Sequence, residues 1–573
     1  MAEIAKARRG GKVLQKGQSF EDLRQSFEWS IPKRFNIGVD ICDRWADVEP
    51  RRLAIIDVEF GKGRREYSFS DLKAMSNRLA NALQAKGIGR RSGETGDRVG
   101  VLLPQRVETA VAHIALAKLA CVSIPLFTLF GPEALEHRLR DSSARAVITD
   151  RAGAERLEQL LTRVPALELI ICVDGAIGTA EGLDELCRRQ PEVFEPIDTL
   201  AEDPAILIYT SGTTGSPKGA LHAHRVLLGH LPGVEISHDF LPQEGDRFWT
   251  PADWAWIGGL LDVLMPALHH GIPVVACRFA KFTAEAAIEL IRTYGIRNVF
   301  LPPTALKMMK LRVSGQGFDV RLRSVASGGE SLGAELIQWG KDALGVTINE
   351  FYGQTECNMI VSSCAALEPS VPGLMGRPVP GHEADVIDAG TGIRQPDETE
   401  GSIAVLSPDP VMFLGYWNNP KATADKFVEG PEGRWLLTGD RGVRDAEGRL
   451  RFLGRDDDII GSGGYRIGPA EVEDCLLGHE AVRLAGVVGK PDAIRGAVVA
   501  AYIVLKQGFA PSKALADEIA DFVKSRLAAH EYPRAVRFID EMPVTTTGKI
   551  IRSQLRKMAQ EEAATDSAAQ RRT

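Results

Sequence analysis

Tyr209-Thr-Ser-Gly-Thr-Thr-Gly-Ser-Pro-Lys-Gly219 is the stretch on which the reading of this chain turns. It continues Ala205-Ile-Leu-Ile-Tyr209, an apolar run with the length and texture of a short buried strand. Five hydroxyl side chains, Thr210, Ser211, Thr213, Thr214 and Ser216, then alternate with Gly212 and Gly215, and Pro217-Lys218 closes the stretch. Glycines let backbone N–H groups approach an anion, hydroxyls add donors, and a lysine adds a point charge. This is the composition of a phosphate-gripping loop. It is not a Walker A loop, because Gly219 follows Lys218 where that loop places a metal-binding Ser or Thr. The competing reading, a solvated Ser/Gly linker, accounts neither for the apolar run before it nor for the Pro-Lys-Gly ending.

Outward from this stretch, bulk properties set limits. A chain of 573 residues exceeds the ~100–200 of one domain, so two or more cores are expected. Hydrophobic residues make up 44% and charged residues 25%, with a formal net charge of −7. That acidic balance argues against a nucleic-acid partner. No apolar run approaches the ~20 residues of a membrane span; Ala497–Leu505 has the length of a core strand. The eight cysteines contain no Cys-x-x-Cys pair, which predicts free thiols in a reducing, cytoplasmic setting rather than disulfides or a zinc site. Residues 1–19 are basic without a signal-peptide core, and read as a frayed tail or a basic transit peptide.

From Asn36 to Asp203, helical and strand patterns alternate. A helix is expected over Ser70–Leu83 with Ser70 near its cap, then a strand at Asp97–Pro104, a small-residue helix at Glu108–Ala120 and a strand at Ala144–Thr149. Such alternation predicts parallel sheets wound by crossovers. Past the loop, Phe248–Leu260 packs three of the chain's eight tryptophans beside Gly258-Gly259, as an apolar pocket wall or a core patch. A helix over Thr283–Thr293 and a strand at Asn298–Leu301 lead to Val325-Ala-Ser-Gly-Gly-Glu-Ser-Leu332, a strand running into a Gly-Gly turn, where α/β sheets meet ligands. Asn349-Glu-Phe-Tyr-Gly-Gln-Thr-Glu356 crowds rings, an amide, a hydroxyl and carboxylates into one turn. A ring stacks on a base, and a carboxylate holds Mg²⁺. Pro378–Ile460 reads as short strands, with Asp440 either a turn former or a ribose-diol acceptor. The texture changes at Gly454–Gly464, as at a pivot, and a small α+β domain follows, with Lys549 on a Thr/Gly-rich turn and a polar tail predicted to be disordered.

Taken in order, these stretches resemble the adenylate-forming superfamily of acyl-CoA synthetases, firefly luciferase and peptide-synthetase adenylation domains. The resemblance runs from about Asn36 to Lys557. It implies an α/β fold: a large N-terminal domain of two wound α/β sheets plus a β-rich subdomain, hinged at Asp457 to a small α+β C-terminal domain. The expected divisions are an extension (1–35), the AMP-binding domain (36–456), a mobile domain (457–557) and a tail (558–573). The implied chemistry has two steps. A carboxylate attacks the α-phosphate of Mg-ATP to give an acyl-adenylate and pyrophosphate, and a thiol then displaces AMP.

The resemblance also implies roles. Thr210, Ser211, Gly212, Thr213, Thr214, Gly215, Ser216, Pro217 and Lys218 grip the β- and γ-phosphates. Gly329, Glu330 and Ser331, with Glu350, Phe351, Tyr352, Gly353 and Gln354, line the nucleotide. Thr355 and Glu356 serve the α-phosphate, with Glu356 at Mg²⁺. Asp440 binds the ribose beside Arg455, and Lys549 is catalytic once the small domain closes. Gly463-Gly-Tyr-Arg466 and the Ile494-Arg-Gly496 arginine look most like medium-chain acyl-CoA and acetyl-CoA synthetases. They therefore assign Gly463, Gly464, Tyr465, Arg466 and Arg495 to coenzyme A, with Lys524 and Tyr532 as further candidates. Trp256, Ile257, Gly258 and Gly353 form the acyl pocket. Acetyl-specific relatives carry Trp where Gly353 stands, so an open pocket floor and a chain longer than acetate are expected, with Trp254 and Trp256 capping the tunnel. The implied function is an AMP-forming acyl-CoA synthetase of fatty-acid metabolism, using ATP, CoA and a short- to medium-chain acid, as monomer or homodimer. The alternatives are an acetyl/propionyl-CoA synthetase, an adenylation enzyme loading a carrier protein, and a non-catalytic nucleotide-binding module. Gly463 in place of a common Ser, and Cys357 in place of a usual Gly, depart from the pattern.

Overall fold

The computed structural model describes residues 12–570 except 16, 18, 60–61, 91–94, 211–216, 280–281, 313–317, 331, 457, 463–464, 493–494, 528–530 and 546–548; for 465–466, 471 and 565–570 it describes the backbone alone. Among these residues the chain forms an eight-stranded sheet, a nine-stranded sheet and two five-stranded sheets.

In the eight-stranded sheet, Arg98–Leu102, Val122–Pro125, Ala146–Thr149 and Pro204–Thr210 run parallel. Their residues are almost all buried, which is why they read as continuous apolar runs rather than as alternation. The crossover helix Val107–Lys118 is buried along nearly its whole length, and its run of alanines lets it pack closely. In the nine-stranded sheet, Phe248–Trp249, Val274–Arg278, Asn298–Phe300, Ser324–Gly328 and Ile348–Gln354 are parallel. Their C-terminal ends point the Gly-Gly turn and the Gln-Thr-Glu turn to the same edge, the place where open α/β sheets bind ligands. Ala384–Ile387, Glu400–Ser407, Phe427–Gly430, Gly433–Arg444 and Leu450–Arg455 form an antiparallel β-rich unit. The last sheet, built on Val482–Asp492 and Gly496–Leu505, carries helices Pro469–Leu477, Lys513–Lys524 and Arg552–Gln570. The architecture is the expected one, two wound α/β sheets, a β-rich unit and a small α+β unit.

Four local expectations meet a definite outcome. The helix expected over Ser70–Leu83 spans Phe69–Ala85 and is capped by Ser68, not Ser70: Ser68 and Asp71 exchange hydrogen bonds in a capping box. The tail predicted to be disordered from 558 is helical to Gln570. Leu555, Met558 and Ala559 form a narrow apolar stripe on the small sheet, and Glu562 accepts from Tyr502 Oη at 3.2 Å and from Arg537 Nε at 3.1 Å. A stripe that short is lost in the polar average of the segment. The basic extension is anchored at its end: the Val13 and Leu14 N–H groups donate to the buried Glu235 carboxylate at 2.8 and 2.7 Å. All eight cysteines are free.

Candidate active site

The strands on either side of the Ser/Thr/Gly stretch pair with each other. Pro204–Thr210 pairs antiparallel with Lys218–Ala223, placing Thr210 opposite Lys218. Ser211, Gly212, Thr213, Thr214, Gly215 and Ser216 lie outside the described residues. The Pro217 carbonyl accepts from His137 Nε2 at 2.9 Å. Lys218 Nζ lies 5.3 Å from the centroid of the Tyr416 ring, and the Tyr416 hydroxyl donates to Glu356 Oε1. Tyr416 thus joins the phosphate lysine to the acidic end of the Gln-Thr-Glu turn. Glu356 is buried and Thr355 half-buried beside it.

The nucleotide edge is shaped by close approach. A Cβ on Gly328 would stand 2.6 Å from the Phe351 ring, and Gly329 has φ +92°, a conformation that favours glycine. Phe351 packs on Phe300 at a ring separation of 5.2 Å. Glu330 accepts from Thr304 Oγ1 at 3.1 Å. Glu350 accepts from the Leu332 N–H, and burial pushes its carboxyl up to about 8. Ser331 lies outside the described residues. Asp440 is buried at 4% exposure, and its Oδ2 accepts from Tyr352 Oη at 2.5 Å and Gln354 Nε2 at 3.1 Å. Its Oδ1 makes no hydrogen bond among the described residues, with Arg455 Nη1 3.4 Å away. Burial raises the Asp440 carboxyl, and Arg455, Tyr352 and Lys426 pull it back. An acceptor oxygen left open in a buried site has the chemistry to take a diol.

Lys549 belongs to the small unit, where its N–H donates to Thr545 Oγ1 at 3.1 Å and Val544 bridges Ile550. Its Nζ nevertheless stands 3.7 Å from the position a Gly329 Cβ would occupy. A lysine 220 residues downstream thereby reaches the nucleotide edge of the large sheet. Nearby, Asp474 Oδ1 lies 3.7 Å from the corresponding position on Gly333.

The residues implied for coenzyme A are less concentrated. Gly463 and Gly464 lie outside the described residues, as do the Tyr465 and Arg466 side chains and the implied hinge Asp457. Lys524 Nζ and the Arg534 guanidinium flank the Tyr532 ring at 5.3 and 4.8 Å. The Arg495 N–H donates to Asp492 Oδ1, and no hydrogen bond or ring contact joins Arg495 to that cluster among the described residues. On the acyl side, Trp256 is half-buried against Phe127 and Phe130 at 5.6 and 5.9 Å, while Trp254 is a core residue at 1% exposure. Ile257 and Gly258 are half-buried. Gly353 does not leave an open floor, because a Cβ there would meet Asn358 Oδ1 at 2.3 Å.

Sequence reading missed Tyr416, Lys426, Phe300, Arg534 and Asn358. Lys426 Nζ donates to Gln354 Oε1 at 3.3 Å and to the Leu437 carbonyl at 3.0 Å. None of these residues sits in a stretch with distinctive local chemistry.

Two family models match the chain: AMP-binding enzyme over residues 42–417, and AMP-binding enzyme C-terminal domain over 471–549. The chain belongs to the AMP-binding enzyme family. Acetyl-coenzyme A synthetase of Bacillus subtilis is 32% identical, over 94% of this chain and 95% of that protein. The human mitochondrial acyl-coenzyme A synthetase ACSM4 is 33% identical, over 92% of this chain and 91% of that one. Among solved structures, the anthranilate CoA ligase AuaEII in complex with anthranoyl-AMP is similar with a TM-score of 0.83 at 30% identity, over 93% of this chain and 99% of that one. No helix among the described residues of this AMP-binding enzyme is long and apolar enough to cross a membrane.

Proposed function

We propose that the protein is an AMP-forming acyl-CoA synthetase that converts a short- to medium-chain carboxylic acid, ATP and CoA to acyl-CoA, AMP and pyrophosphate. The observation that carries this reading is the position of Lys549 Nζ beside Gly329 at the nucleotide edge. Adenylation builds negative charge on the α-phosphate, and a cation held there in a site that excludes water lowers the barrier. Lys549 is that cation. Asp440 Oδ1 takes the ribose hydroxyls, Phe351 and Tyr352 flank the base, and Thr210 with Lys218 hold the phosphates that leave.

Among the described residues no group of three or more metal ligands occurs, and Glu356 is a single buried carboxylate. That set suits Mg²⁺, which needs only one or two protein carboxylates when phosphates and waters complete its shell. Bound through Glu356, the ion would neutralise phosphate charge. In the second step a thiol attacks the acyl carbon and AMP leaves, which needs Lys549 out of the way. Rotation about Asp457 exchanges it for the Gly463–Arg466 stretch, while Arg495, Lys524 and Tyr532, with Arg534, offer charge to the phosphates of CoA.

The test is carboxylate-dependent pyrophosphate release and CoA-dependent thioester formation by the purified protein across a panel of acids. Release of pyrophosphate with transfer only to a phosphopantetheinyl carrier, and not to free CoA, would replace this reading by a carrier-loading one.

A further inference from the structure

Behind the two glycines of the acyl pocket lies a polar pair. Asn358 Nδ2 donates to Asp262 Oδ1 at 2.6 Å, and the two residues are 4% and 2% exposed. Asp262 Oδ2 stands 3.5 Å from where a Gly258 Cβ would be, and Asn358 Oδ1 stands 2.3 Å from the same point on Gly353. The pair therefore spans from one pocket glycine to the other. The ring of Phe300, which packs on Phe351 at the nucleotide edge, stands 2.9 Å from where a Gly258 Cβ would be. The floor is thus continuous with the site where the adenylate forms.

Resting on the synthetase reading above, we propose that Asp262 and Asn358 are the specificity floor of the acyl pocket and select a carboxylic acid that carries a hydroxyl group on its chain. Among the described residues Asp262 meets no charged cation. Burial holds its carboxyl well above the usual range, and the Asn358 amide is the one group that opposes this. His230, whose Nε2 is 3.8 Å from Asp262 Oδ1, is itself held neutral by burial, at about 3. With Oδ1 accepting from Asn358, the proton of the neutral carboxyl sits on Oδ2. The floor then presents one O–H donor at Gly258 and one carbonyl acceptor at Gly353, and neither oxygen accepts a hydrogen bond from another N–H or hydroxyl among the described residues. A hydroxyl both donates and accepts, so it satisfies the two together. An alkyl chain leaves both unmet in a dry site, and an ammonium or second carboxylate would bring a charge that a neutral pair does not balance.

The experiment measures kcat/KM for CoA-dependent AMP formation by the full chain. Butanoate and hexanoate are each set against their hydroxy derivatives, with aminobutanoates alongside. At least one hydroxy acid should exceed its parent by on the order of 10²-fold, the scale set by leaving one buried polar group unsatisfied. Asp262→Leu with Asn358→Val should reverse that ranking, raising the parent acid as the hydroxy acid falls, whereas Asp262→Asn, which keeps a donor, should retain it. Parent acids equal to or better than every hydroxy derivative in the unmodified protein would overturn the proposal, independently of how any variant folds. So would preference for an aminobutanoate. Turnover of no acid at all would instead overturn the synthetase reading, and this proposal with it.

Discussion

Two buried aspartates face the same reaction from opposite ends, and their surroundings differ. Asp440, on the nucleotide side, sits in a polar shell: Tyr352 and Gln354 donate to it, and Arg455 and Lys426 draw its carboxyl down against the effect of burial. Asp262, on the acyl side, has one amide partner and, among the described residues, no cation, so burial lifts its carboxyl well above the usual range. Burial raises both carboxyls, but at Asp440 neighbouring positive charge and a hydroxyl donor pull back, while at Asp262 a single amide opposes a larger rise. On the proposed function, the nucleotide half would treat every substrate acid alike, while the acyl half would discriminate among them.

The strongest way to break this division is Lys549→Ala. It should lower adenylate formation by about 10²–10³-fold, as expected for removing one charge-stabilising donor, and by the same factor for every acid. Thioester formation from pre-made acyl-AMP should persist. A loss that varied from acid to acid would merge the two halves and contradict the role given to the lysine.

A smaller effect is expected from Asp440→Ala, which removes the open acceptor and strands the Tyr352 hydroxyl. The KM for ATP should rise about tenfold, equivalent to roughly 1.4 kcal/mol, with the ranking of acids unchanged. Unaltered ATP saturation would remove Asp440 from the nucleotide site.

The last test reads stability rather than turnover. Glu350 keeps its proton to about pH 8 in the folded chain, against an ordinary 4.5. Between those values the folded state binds more protons than the unfolded one, so this group's contribution to stability falls as pH rises. Glu350→Gln, which still accepts from Leu332, should therefore gain in Tm relative to the parent on going from pH 5 to pH 8. Parallel Tm profiles would show that the carboxyl is already ionised.

Much of the nucleotide half is legible because its groups are local. Gly329 and Glu330 end one strand, Phe351 to Glu356 end its neighbour, and each arrives in a stretch whose composition is already unusual. Tyr416 was not legible: the bond to Glu356 crosses 60 residues and depends on the pairing of Gly415–Tyr416 with Lys218–Ala223. The acyl floor was misjudged for a related reason. An absent side chain at Gly353 suggests space, yet whether space exists depends on what the neighbouring turn places there, and Asn358 fills it. Trp254 likewise enters the core because of helix and sheet packing that no tryptophan count conveys.

By itself, then, the sequence determined the fold class and the family, and gathered the residues proposed for the nucleotide into a few short stretches. Apolar period, turn chemistry and motif order act over a few residues and survive as text. Tertiary structure decided three things: that Lys549 reaches Gly329, that Tyr416 completes the phosphate corner, and that Asp262 meets Asn358 across 96 residues. Each is a contact between elements whose register is fixed only when the sheets pack, and the protonation of a buried carboxyl follows from that packing rather than from its neighbours in the chain.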